Sequence, residues 1–194
     1  MRKLDFYFDY RSPYSFLALS QVRTMDVEIV FRPFEIGALM KLVGNVPTTL
    51  TCASKGRYVQ SDLKRWELHC GVPLNRHAPA SEFDVSRLLR ATLVAGQLGT
   101  MPAAVKAIFN AFWSAPAPLA TTTEVAALLG GEGLDAKALE SRMGDPAAHE
   151  LFEKATSEGA ARGVFGAPTM FVGDEMFFGN DRLNFVRDRL ADAA

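Results

Sequence analysis

Cysteine is scarce in this chain of 194 residues: there are two, Cys52 and Cys70, at neither C-x-x-C nor metal-ligand spacing. That excludes a dithiol redox motif and a cysteine zinc site, and two isolated thiols in a reducing compartment are preferred over a disulfide. The histidines His69, His77 and His149 are scattered without metal spacing. His69 and Cys70 are adjacent, and adjacent residues on a helix diverge, so they make a poor catalytic pair. No glycine-rich phosphate loop is found, since "GALMKLVGN" has neither a Walker nor a dinucleotide fingerprint, and no G-x-S-x-G elbow occurs. Excess charge is lacking too: the net value is -1, so no overall field favours nucleic acid or an anionic membrane. No apolar run is long enough to span a bilayer, and "MRKLDFYFDY" has no apolar signal-peptide core. The expectation is a cytoplasmic protein with no metal, nucleic-acid or membrane partner.

What is present is an ordinary globular composition, 48% hydrophobic and 22% charged, long enough for one sizeable domain or a small one carrying an insertion. Residues 4–9 read as an aromatic-rich strand. Ser12 suits an N-cap and Pro13 the first helical position, opening a helix to about Arg23. "VEIVFRPF", 27–34, is a second strand, completing a β-α-β unit with parallel strands. From Gly37 to about residue 160 the pattern is helical, interrupted by loops such as 44–56 and 71–82. Val85, Leu88, Leu89, Thr92 and Leu93 share one helical face, as do Val105, Ile108, Phe109, Phe112 and Trp113. Thr121 and Glu124 form a capping-box pattern, and Asp145-Pro146 opens a further helix to about Arg162. Thr169 to Val172, a Gly173-Asp174 turn and "EMFFG" form a hairpin, followed by a helix from about 182 to 191. The fold class is α/β, a split β-α-β … β-β-α sheet with an inserted all-helical domain: residues 1–36 and 163–194 form one unit, 37–162 the other.

Four stretches invite chemistry. In "SPYS" the hydroxyls of Ser12 and Ser15 stand three apart at a strand-to-helix corner, where thioredoxin-type redox proteins carry two cysteines. A helix N-terminus stabilises an anion. A serine there stays protonated and donates to an anion from outside, such as a thiolate, whose pKa it lowers; Ser12 as a simple cap is the competing reading. In "GVFGAPTMFVG" a cis bond before Pro168 would turn the Ala167 backbone outward to a ligand, whereas base rates favour trans. Asn180 and Asp181 stand where N-caps belong, and equally where an α-amino or α-carboxylate group would be held. Lys41, Lys55, Arg57, Lys64 and Arg65 surround a loop with Asn45 and Pro47, either a solvated surface or a site for small carboxylates.

"FYFDYRSPYSFLA", "GNVP", "SKGRY", "DLKRW" and "VFGAPTMFVGDEMFFGNDRL" together resemble the 2-hydroxychromene-2-carboxylate isomerases, a bacterial family allied to kappa-class glutathione transferases. The resemblance covers essentially the whole chain; one departure is "TTLTCAS", where Cys52 and Ala53 stand in the region of a polar pair. It implies a thioredoxin-like, glutathione-binding domain, a homodimer and glutathione as cofactor. Ser12 would face the sulfur, Asn45 and Lys55 would hold the glycine end, and Ala167 before a cis-Pro168 would pair with the cysteinyl part. Asn180 and Asp181 would hold the γ-glutamyl end, Lys41 would meet the carboxylate of an aromatic substrate, and Tyr10, Phe34 and Trp66 would supply apolar walls. The implied reaction interconverts 2-hydroxychromene-2-carboxylate and trans-o-hydroxybenzylidenepyruvate by transient thiolate addition, bond rotation and elimination. A conjugating transferase is the nearest alternative; a redox or non-catalytic thioredoxin relative is a more remote one.

Overall fold

The computed structural model describes residues 2–75 and 84–192. Most of the expected 71–82 loop, with His77, lies outside the described residues. Strand β1 (Lys3–Phe8) pairs in parallel with β2 (Glu28–Pro33), with Lys3 opposite Glu28 and Phe8 opposite Pro33. Helix α1 (Pro13–Val22) makes the crossover. β3 (Thr169–Val172) returns antiparallel to β1, and β4 (Glu175–Phe178) closes the hairpin, giving the order β2-β1-β3-β4. Gly173 takes φ 63° in that two-residue turn, a conformation that costs glycine nothing. Pro33 ends an edge strand, where its missing N–H breaks no ladder.

Between the halves run α2 (Ile36–Leu42), α3 (Thr48–Thr51), α4 (Ala53–Cys70), α5 (Val85–Gln97), α6 (Met101–Phe109), α7 (Thr122–Gly131), α8 (Ala136–Met143) and α9 (Pro146–Ala161). A π-helical turn, Asn110–Ser114, extends α6. After β4 come a 3-10 turn, Asn180–Arg182, and α10 (Leu183–Asp192). The expected loop 44–56 is therefore largely helical: Pro47 caps α3, and only Cys52, in extended geometry, separates it from α4. The capping box before α7 forms in full, with Glu124 N–H donating to Thr121 Oγ1 at 3.1 Å and Thr121 N–H donating to Glu124 Oε2 at 2.9 Å.

Strand alternation decides what β1 buries on each side. Leu4, Phe6 and Phe8 enter the main core, which also takes Val85, Leu88 and Leu89 of α5 and Phe109, Phe112 and Trp113 beyond it. The sheet and the helical segment thus share one hydrophobic cluster, in which each fully buried Phe contributes on the order of 1.5–3 kcal/mol. Leu93 is the exception on the α5 face, being only half-buried. On the opposite side of β1, Tyr7 packs with Phe34, Leu39, Val164 and Phe171 in a smaller cluster.

Candidate active site

The corner after β1 is a tight turn in which Ser12 N–H donates to the Asp9 carbonyl at 3.0 Å. Ser12 has extended backbone geometry, φ -87° and ψ 108°, and caps α1: its Oγ accepts from Ser15 N–H at 3.1 Å. The same hydroxyl donates to the Ala167 carbonyl at 3.1 Å, so the cap is also the bridge to the second half of the chain. Ser12 is 8% exposed. The Ala167–Pro168 bond is cis, as the resemblance implied and against the base rate.

The loop that carries this bond is tied by four consecutive carbonyls. Phe165 O accepts from Asn45 Nδ2 at 2.8 Å, and Gly166 O from Thr169 Oγ1 at 2.8 Å. Ala167 O accepts from Ser12, and Pro168 O from Gly179 N–H at 3.0 Å. Gly166 lies under the Phe178 ring, where an added Cβ would come within 2.8 Å of a ring carbon. The Ala167 carbonyl, expected to face a ligand, is therefore held by Ser12; its N–H has no partner among the described residues.

The adjoining turn presents Asn180, 5% exposed, whose Nδ2 is buried with no hydrogen-bond partner among the described residues. Neither it nor Asp181 caps by its side chain, because both lie inside the 3-10 turn that Gly179 begins. Asp181 is exposed and paired with Arg182. Ser12, Ala167, Pro168, Asn45 and Asn180–Asp181 are thus linked around one loop. Lys41 stands exposed on α2, and Lys55 on α4 donates to Thr48 Oγ1 at 3.3 Å. Arg57 donates to Ser54 Oγ, and Arg65 lies over the Tyr58 ring, both on the surface of α4. Half-buried Trp66 sets its ring edge-on to His69. Tyr10 and Phe34 need correction. Both are 0% exposed: Tyr10 bonds Thr92 Oγ1 at 2.6 Å inside the main core, and Phe34 fills the Tyr7 cluster. Neither presents surface to a ligand.

Sequence reasoning missed the polar network behind the corner. Asp9, fully buried, accepts from Arg11 N–H at 2.8 Å, Arg11 Nε at 3.2 Å and Ile36 N–H at 2.9 Å. Arg11 goes on to pair with Glu35, which caps α2 through Gly37 and Ala38 N–H. Burial pushes the Asp9 carboxyl up against the pull of Arg11 and the two N–H groups. Burial also raises Glu35, but there the Ala38 N–H, Arg11 and the Gly37 N–H outweigh it and hold the carboxyl below its ordinary value. Tyr14, between the two serines, donates to Asp62 Oδ2 of α4 at 2.7 Å; burial and then that carboxylate push its hydroxyl up. An acid closing an aromatic strand, as in "FYFDYR", was the available signal for Asp9.

Residues 3–191 match the family described as DSBA-like thioredoxin domain. A protein of Sphingobium xenophagum named 2-hydroxychromene-2-carboxylate isomerase is 36% identical to this chain, covering 98% of it and 99% of that protein. The chain belongs to this isomerase family. A solved 2-hydroxychromene-2-carboxylate isomerase structure superposes with a TM-score of 0.87 at 30% identity, over 98% of this chain and 95% of that one. The isomerase family's fold is thus the thioredoxin-like arrangement expected, with the mixed sheet at its centre. Further off, glutathione S-transferase kappa 1 of Caenorhabditis elegans is 25% identical over 97% of this chain and 90% of that protein.

Proposed function

We propose that the protein is a cytoplasmic, glutathione-dependent isomerase interconverting 2-hydroxychromene-2-carboxylate and trans-o-hydroxybenzylidenepyruvate. The observation that carries the reading is the Ser12 hydroxyl, capping α1 against the cis-Pro168 loop at 3.1 Å, in a chain so similar to isomerases of that name. Residues 1–36 and 163–194 form the glutathione-binding unit, and 37–162 are the helical insertion that borders the substrate. Two copies associate as a homodimer.

The residues present fit the tripeptide. The buried Asn180 amide lacks an acceptor, and a γ-glutamyl carboxylate is one. Asp181 offers a carboxylate to the α-ammonium, and the Ala167 N–H is open to the cysteinyl carbonyl. Asn45 and Lys55 are assigned to the glycine end by the resemblance. Bound glutathione supplies what the corner lacks, a thiolate nucleophile.

Ser12 has one proton to give, and without a ligand it goes to Ala167 O. Rotation about its Cβ–Oγ bond turns that proton to a sulfur while the oxygen stays in place and a lone pair continues to face Ser15 N–H. A hydrogen bond to a charged group is worth about 1.5–3 kcal/mol, and the α1 dipole adds about 0.3–1. Together they bring a thiol from about 8.5 into the range of roughly 5.5–7. Lys41 offers an ammonium to the substrate carboxylate, and Trp66 an apolar wall.

An absorbance assay with 2-hydroxychromene-2-carboxylate, with and without catalytic glutathione, tests the proposal. Turnover that requires glutathione without consuming it supports the isomerase. Tight glutathione binding with conjugation of a chloronitroarene, and no isomerisation, replaces it with a transferase.

A further inference from the structure

The proposed chemistry leaves one buried charged group without a task. Asp9 is sealed from solvent three residues before Ser12, and all its partners are donors: Arg11 N–H, Arg11 Nε, Ile36 N–H and, at 3.2 Å, the outer Arg11 nitrogen. Burying a carboxylate is unfavourable unless its lone pairs are filled, and a core built for stability alone needs none. The arrangement does more than fill them. Asp9 Oδ1 fixes the turn that aims Ser12, while Oδ2 holds the first residue of α2. Arg11 ties the same carboxylate to Glu35, whose N–H donates to Thr156 Oγ1 of α9 at 3.0 Å. Just beyond the far end of α2, Asn45 grips Phe165 O, in the loop whose next carbonyl but one Ser12 faces. One short helix therefore holds the serine corner by its beginning and the cis-proline loop from its end.

From this geometry we infer that Asp9, Arg11 and Glu35 are positioning residues, a strap that fixes the distance between the Ser12 hydroxyl and the Ala167 backbone and hence the fit of the sulfur between them. The inference rests on the glutathione reading above. Asn at position 9 would place an NH2 group against donors whichever way it turned. Lys at position 11 would keep the charge but could not span two carboxylates with one fork.

The test is a double-mutant cycle read by calorimetric titration of glutathione into the ligand-free protein. Asp9→Asn and Arg11→Lys are each made alone and together with Ser12→Ala. Because the buried Asp9→Asn protein risks misfolding, Arg11→Lys, at a half-exposed site, suffices by itself. Each strap variant is expected to weaken glutathione binding about tenfold when Ser12 is present and by less than about twofold in the Ser12→Ala protein. An equal factor in both backgrounds, or no loss beside an intact Ser12, overturns the strap while leaving the ligand assignment standing. Absence of glutathione binding by the unaltered protein overturns the ligand assignment and the strap with it.

Discussion

Removing the Ser12 hydroxyl separates its two jobs by size. As an N-cap it satisfies Ser15 N–H, and losing such a cap costs about 0.5–2 kcal/mol. In a chain of this length that lowers the thermal midpoint by several degrees, on the order of 2–4 °C per kcal/mol. As the donor to a thiolate it is worth about 1.5–3 kcal/mol, or roughly one to two pH units in the sulfur's pKa. The Ser12→Ala protein is therefore expected to fold and to bind the tripeptide, while kcat/KM at pH 7 falls about five- to twentyfold with the thiolate fraction. The α1 dipole remains in the variant, so the loss is partial. Because the deficit is one of thiolate fraction, raising the pH restores activity, and the rising limb of the pH profile moves up by the same one to two units. The measurement is the isomerisation rate followed by absorbance across pH 6–9, beside circular dichroism of the same samples. A lowered rate with an unshifted profile refutes the reasoning, because it makes Ser12 a cap whose loss merely distorts the site.

Glu35 provides an acid-stability test. Its folded carboxyl binds a proton less tightly than the unfolded one, so its stabilisation is complete above the unfolded value near 4.5 and fades as the pH falls below it. Thermal midpoints from pH 6 to 3 should converge for the parent and Glu35→Gln, and a constant gap contradicts the assignment. Asn180→Ala removes a buried amide whose Nδ2 has no partner among the described residues, so the ligand-free midpoint should hold or rise while glutathione affinity drops about tenfold; calorimetry and melting decide it together. Lys41 is exposed, which limits its ion pair to about 1 kcal/mol. Lys41→Ala should raise the KM for the aromatic acid by no more than about fivefold and leave glutathione titrations unchanged.

The parts of the fold legible in the chain were those written by near neighbours. Ser12-Pro13, Thr121 to Glu124 and Gly173-Asp174 each end or turn an element by contacts within a few residues, and each stands where expected. The Asp9–Arg11–Glu35 group escaped notice because Glu35 reaches Arg11, and Ile36 N–H reaches Asp9, only once β2 has returned beside β1. Tyr10 and Phe34 misled because an aromatic residue close to a proposed site serves equally well as core, and the sequence does not say which way it turns: both turn into the core. The 44–56 segment hid its helices because Pro47 reads as a loop residue and also as a helix starter. Cis geometry at Pro168 came from resemblance alone, since local sequence favoured trans.

The four tied carbonyls of residues 165–168 bear on which thiols the corner accepts. Three of the tethers do not involve Ser12; the fourth would be surrendered if, as proposed, its proton turned to a sulfur. Ala167 C=O is then left without a donor unless the incoming molecule brings one, at a penalty of about 1–3 kcal/mol for the orphaned group. A peptide thiol carries an amide N–H a few bonds from its sulfur, whereas ethanethiol carries no donor beyond the thiol itself. On the proposed reading, discrimination between glutathione and donor-free thiols would be built into the resting state, by a bond that only a guest with its own N–H can replace.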